Sequence, residues 1–231
     1  MSLRRLAYRG RRGVAKVTRA AVPRSKNDGI CVSFDERPDS IGILLRGQSL
    51  IRVKDYWERF EEGYIVNTFK EEWARLSPEI DTKKWTHVVS RVPETWFTKK
   101  ELEARGIGRV LSNHFPSNGI HPYHVLGVSW EYMPEEMHDL IPGIEDEGRG
   151  YPTVGLQTVA YVASIVRPYN VMLFGLDFYH SPYLASNKHR QPHHLDKQQV
   201  MVPFFFDLVR QFEGTTFHMA TNYPDIPEIP N

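Results

Sequence analysis

The sequence predicts a single α/β domain: a mainly parallel, Rossmann-like sheet with helices on both faces. Short, continuous apolar runs recur along the chain, and segments with helical periodicity separate them. At 231 residues, with 41% hydrophobic and 25% charged side chains, the chain has the length and balance to bury one sizeable core. No run approaches the ~20 apolar residues of a membrane-spanning helix. The lone cysteine, Cys31, rules out an intramolecular disulfide and a Cys-rich zinc site.

The elements follow in order. Ile41–Leu45 is an apolar run of buried-strand type, and Val53–Glu62 after it is amphipathic. Tyr64–Asn67 is the second strand, followed by a helix over Phe69–Leu76. Thr86–Ser90 is the third strand, and Thr98 N-caps a helix over Thr98–Arg105. Residues 106–150, rich in Gly, Pro, His and Asn, read as an irregular insert or lid. Val154 to Val166 presents a broad apolar helical face. Val171–Gly175 is a strand, His180–His194 a polar loop, Leu195–Phe212 a helix and Thr215–Ala220 the last strand. The α/β domain is thus expected over 29–222, with a Pro-rich tail at 223–231.

Charge separates the start of the chain from the rest. Residues 1–26 hold nine Lys or Arg and no acid, leaving 20 basic against 28 acidic side chains beyond, a net of −8. Residues 1–28 are therefore expected to be a flexible basic arm, suited to an anionic membrane surface or to organellar targeting. The acidic body argues against a nucleic-acid partner for the folded domain. A soluble or peripheral protein, cytoplasmic by preference, is the expectation.

Ligands in such folds bind beyond the carboxyl ends of the strands, which directs attention to Arg46–Ser49, Asn67, Ser90–Arg91 and Asp177–Tyr183. Arg46-Gly47-Gln48-Ser49 joins a strand to a helix, where a small residue lets the backbone approach a phosphate and Arg46 adds a bidentate donor. Tyr179 and Tyr183 bring two phenols to the same edge, and His194, next to a long helix, has the chemistry of a general base. D-x-D, H-E-x-x-H, G-x-S-x-G and the P-loop are all absent. His193-His194-x-Asp196 and His121-x-x-His124 are the only spacings suggestive of a metal.

In this order the pieces resemble the CMP-sialic-acid-dependent sialyltransferases, the short bacterial type most closely and the animal type more distantly. The match runs roughly from Ile41 to Asn222 through four blocks: Leu45-Arg46-Gly47-Gln48-Ser49-Leu50, Ile65-Val66-Asn67, Pro152-Thr153-Val154-Gly155-Leu156 and Gly175-Leu176-Asp177-Phe178-Tyr179. The resemblance implies donor binding by Gly47, Ser49, Asn67, Thr153 and Gly155. It implies assistance to the departing CMP phosphate by Tyr179 and Tyr183, and general-base catalysis by His194. Arg46 and Ser90 join the donor-binding set from their places at strand ends. The chain departs from the family at Leu45 and Arg46 (Gly and Asn there), at Val154 (Ser) and at Gln199 (an acid).

The expected activity is an inverting, metal-independent glycosyltransferase without a cofactor. It would move a sialic acid or related keto-acid sugar from a CMP donor to a hydroxyl of a glycan acceptor. Two alternatives stay open: a nucleotide- or glycan-binding homologue with altered catalysis, favoured by Val154 and Gln199, and a nucleotide- or phosphate-transferring Rossmann enzyme.

Overall fold

The computed structural model describes residues 38–67, 69–76, 78–89, 97–113, 128, 130–134, 153–185 and 192–224, with 192–200 as backbone only. Seven strands form one sheet: β1 (Ser40–Leu44), β2 (Glu62–Val66), β3 (Lys84–Val89), β4 (Ile107–Ser112), β5 (Glu131–Tyr132), β6 (Asn170–Phe174) and β7 (Thr216–Ala220). Their order is β5-β4-β3-β2-β1-β6-β7, and every pairing is parallel. The Rossmann-like α/β expectation is met. β1 sits inside the sheet, with Ile43 opposite Tyr64 of β2 on one side and Leu173 of β6 on the other.

Alternation along the strands separates two cores. Ile41, Ile43, Tyr64, Val66, Val88 and Leu173 pack under α3 (Val154–Tyr161) and α4 (Pro192–Val209). Leu44, Ile65, Trp85, Val89 and Phe174 face the other way, against α1 (Lys70–Leu76) and α2 (Lys99–Ala104). Trp85 anchors that second layer. Trp57, Phe60 and Trp73 meet it edge-on at 6.2–6.4 Å between ring centroids, and its indole N–H donates to Ile80 O at 2.7 Å. Such tilted arrangements suit the ring quadrupoles.

Three elements differ from the sequence expectation. The segment after β1 is a 3-10 helix, Gln48–Asp55, and a short 3-10 turn, Trp57–Arg59, rather than an α-helix over 53–62. Leu50 and Val53 are both buried, and their spacing of three matches the three-residue turn that stacks them on one side. Residues 106–150 are not wholly irregular, because β4 and β5 lie inside them. Gly108 and Arg109 interrupt the apolar pattern of β4, and Arg109 pairs instead with Glu131 of β5 at 2.6 Å. The apolar helix after Thr153 is α only to Tyr161. It finishes as a π turn, Val162–Val166, and Arg167 closes it in the left-handed region at φ 54°.

Candidate functional site

The β1–β6 pairing continues past the strand ends through two further backbone hydrogen bonds. Leu45 N donates to Phe174 O at 2.8 Å, and Gly47 N donates to Gly175 O at 2.9 Å. This brings the loop after β1 against the loop after β6. A Cβ on Gly47 would overlap the Asp177 carboxylate and lie 2.7 Å from Gly175 O, so only glycine fits. Gly175 itself turns the chain at φ 77°.

Asp177, 2% exposed, ties three loops together. Its Oδ2 accepts from Ser49 N at 3.0 Å and from the Ser181 hydroxyl. Its Oδ1 accepts from the Ser49 hydroxyl, from Asn222 N at 2.9 Å and from Thr221 Oγ1 at 3.4 Å. Ser49 Oγ also accepts from Gly175 N at 3.2 Å. A buried carboxylate held by this many donors is a fixed structural anion.

Immediately beyond Asp177, two bulky residues in succession adopt left-handed backbone, Phe178 at φ 46° and Tyr179 at φ 60°. Each such residue costs roughly 1–3 kcal/mol and persists only where its surroundings enforce it. Here His180 N closes the turn on Asp177 O at 2.7 Å, and Phe178 packs at 5.5 Å between the rings of Phe205 and Tyr223. The turn puts Tyr179 at the crevice wall. The chain then runs back antiparallel to Gly47 through Tyr183, and Leu184 N donates to Arg46 O at 2.8 Å. Burial pushes both phenols up, Tyr179 strongly; Arg46 partly offsets this at Tyr183. Both therefore stay protonated and able to donate.

Arg46 is braced from behind. Its Nε donates to Glu72 Oε1 at 2.8 Å, and its guanidinium carbon lies 4.3 Å from the centroid of the Tyr183 ring. Glu72 is fully buried on α1. Burial raises its carboxyl group, and Arg46 offsets only part of that rise. Oε2 of this carboxylate has no hydrogen-bond partner among the described residues. Asn67 ends β2 at φ 57°, a conformation that asparagine tolerates better than most residues. Its backbone N–H donates to Val88 O and its carbonyl accepts from His87 Nε2, both at 2.8 Å. Complete burial pushes His87 down to about 4, so a neutral ring supports Asn67. Thr153 caps α3, accepting from Leu156 N at 3.4 Å.

Together these segments line one crevice of about 100 Å³. It lies at the carboxyl edge of the sheet beside β1, whose neighbours lead away in opposite directions. This is the switch point at which doubly wound sheets bind ligands. Arg46, Gly47, Asn67, Thr153, Gly155, Tyr179 and Tyr183 all line it. Backbone N–H groups at the start of α3, the arginine and the phenols make the crevice suited to an anion.

Other expected site residues fall elsewhere. Ser49 is buried behind the crevice, and its hydroxyl and N–H are committed to Asp177. Ser90, His121 and His124 lie outside the described residues. His194 sits within the first turn of α4, because the helix begins at Pro192 and not at Leu195. Proline is well suited to that first position. The side chains of His193, His194 and Asp196 lie outside the described ones. Among the described residues no three His, Cys, Asp or Glu cluster in a way that could hold a metal, and no helix is long and apolar enough to cross a membrane.

Sequence reasoning missed Glu72 and His87; Ser181 falls within the Asp177–Tyr183 stretch it pointed to. Glu72 had a signal: Phe69, Trp73 and Leu76 mark the buried face of α1, and position 72 falls on it. Comparison with protein-family models, curated proteins and solved structures finds no match for the chain.

Proposed function

We propose that the chain is an inverting glycosyltransferase that moves a sialic acid or related keto-acid sugar from a CMP donor to a sugar hydroxyl. The reading rests on one observation. Four separate blocks of the sialyltransferase-like pattern, around Gly47, Asn67, Thr153–Gly155 and Tyr179, meet in one crevice at the switch point of the sheet.

In this reading the donor phosphate lies against the N-terminus of α3 and Arg46, with Asn67 and the Gly47 loop beside it. The acceptor hydroxyl attacks the anomeric carbon from the face opposite the phosphate. A new C–O bond forms, the bond from that carbon to the phosphate oxygen breaks, and CMP leaves. His194 takes the hydroxyl proton. Tyr179 and Tyr183 donate hydrogen bonds to the phosphate oxygens as their charge grows, which stabilises the transition state more than the bound donor. Arg46 and the phenols meet that charge in a scheme that invokes no divalent cation.

A panel of nucleotide sugars scored for CMP release, with and without EDTA, tests the reading. CMP-linked keto-acid sugars should turn over in the chelator. Replacing His194 by alanine should lower turnover by ~10²–10⁴ while CMP affinity holds. Turnover of a uridine or guanosine sugar in preference, or a strict metal requirement, would overturn it.

A further inference from the structure

The crevice is short of positive charge. Among the described residues that line it, Arg46 is the sole cation and Asp177 the sole acid. The charge of Arg46 is already met, because fully buried Glu72 faces it at 2.8 Å. Among the described residues no cation meets the charge of Asp177; Ser49, Ser181, Thr221 and Asn222 offer it neutral N–H and O–H donors. One positive charge thus stands against two buried negative ones, with only the partial charge at the start of α3 added. In a low-dielectric site such an imbalance is felt strongly by a second ligand charge.

The arrangement also fixes how Arg46 presents itself. Nε is held by Glu72 and the guanidinium carbon stands 4.3 Å from the Tyr183 ring centroid, while the two Nη groups make no hydrogen bond among the described residues. That fork can take two oxygens of one anionic group.

We propose that Glu72 is a specificity-determining positioning residue: by aiming and compensating Arg46, it makes the crevice select a singly charged anion over a phosphate monoester dianion. The anion is a phosphodiester or a carboxylate. The inference deepens the donor reading above, in which the donor is a phosphodiester. The product, CMP, is a monoester that gains a second negative charge at neutral pH. Transfer would then put a second charge on the phosphate group that Arg46 holds, while the donor's other charge, the sugar carboxylate, leaves with the transferred sugar, and this promotes product release.

The test compares cytidine 5′-(methyl phosphate), a monoanion, with CMP, a dianion, by calorimetry at pH 8 and low salt. A free keto-acid sugar in a third arm distinguishes a carboxylate from a diester as the group bound. Wild-type protein should bind the methyl ester at least as tightly as CMP. Glu72→Gln keeps an acceptor for Arg46 Nε and removes the charge. It should tighten CMP by on the order of tenfold and the singly charged ester by only about threefold, half the free-energy effect. CMP binding wild type tenfold more tightly than the ester would overturn the proposal, and this needs no variant. So would a folded Glu72→Gln protein with an unaltered ratio of the two affinities, the result of a merely structural role. If wild type binds neither cytidine ligand, the donor reading fails by itself. An NMR titration with dimethyl phosphate against inorganic phosphate then decides the charge rule. Preference for dimethyl phosphate, reversed in Glu72→Gln, upholds the rule; any other pattern, including no binding, defeats it.

Discussion

His87 supports the crevice from beneath without touching it. It points from β3 into the aromatic layer, 5.0 Å from the Phe97 ring centroid, and donates Nε2–H to the carbonyl of left-handed Asn67. Its Nδ1 is buried without a partner among the described residues, so protonating it would place an uncompensated charge in the core. The sign of the effect follows from its pKa, which falls from 6.5 to about 4 on folding. The unfolded chain takes up the proton first as the solution is acidified. Stability is therefore fully present above pH 6.5 and lost as pH falls toward 4, by on the order of 3 kcal/mol. Urea titrations at pH 7 and pH 4.5 should show this loss. Glu72, raised on folding, acts in the opposite direction, so the informative quantity is the difference between wild type and His87→Gln. The variant should lose less stability over that interval; equal losses would show that His87 does not carry the effect.

The helices show what can and cannot be read from pattern. Thr98 was legible as an N-cap, and the structure completes a capping box. Glu101 N donates to Thr98 Oγ1 at 3.3 Å, and Thr98 N donates to Glu101 Oε2 at 2.7 Å. The same oxygen takes Lys70 Nζ at 2.8 Å, which joins α2 to α1. Thr98→Ala should cost about 1 kcal/mol in a thermal or denaturant melt. A loss within a few tenths of zero would mean that water caps the helix equally well. Strands β1, β3 and β6 were visible because both their faces are buried, so their apolar runs are nearly continuous. β4 was not, because Arg109 belongs to an ion pair with a strand two residues long. The site divides in the same way. Positions at strand ends could be named in advance because parallel topology assigns them a role. The bond from Ser49 to Asp177 spans 128 residues, and the left-handed turn at Asn67 that His87 completes is a conformational fact with no local signature.

At the scale of the whole molecule, the strand pairings among the described residues lie between Ser40 and Ala220. Among the described residues both cores are assembled from Ile41 onward. The basic stretch at 1–28 carries no apolar periodicity strong enough to pack, and its charge is opposite to that of the body. A chain begun at Gly29 should fold with unchanged melting temperature and bind CMP as the full chain does. A lower melting temperature, or weaker binding, would show that the basic stretch docks on the acidic body.

The central position of β1 has a kinetic consequence. Its partner on one side, β2, follows within about twenty residues, but its partner on the other, β6, pairs Asn170 with Ser40. Closing a loop of that length is slow relative to local pairing. Strands β1 to β4 can therefore zip together in chain order during synthesis, while one flank of β1 stays open. Only when β6 docks there does Gly175 receive the Gly47 N–H, Asp177 gather its donors and Tyr179 reach the crevice wall. The binding site is thus among the last features to form, and a nascent chain that already holds half its sheet cannot yet capture a ligand.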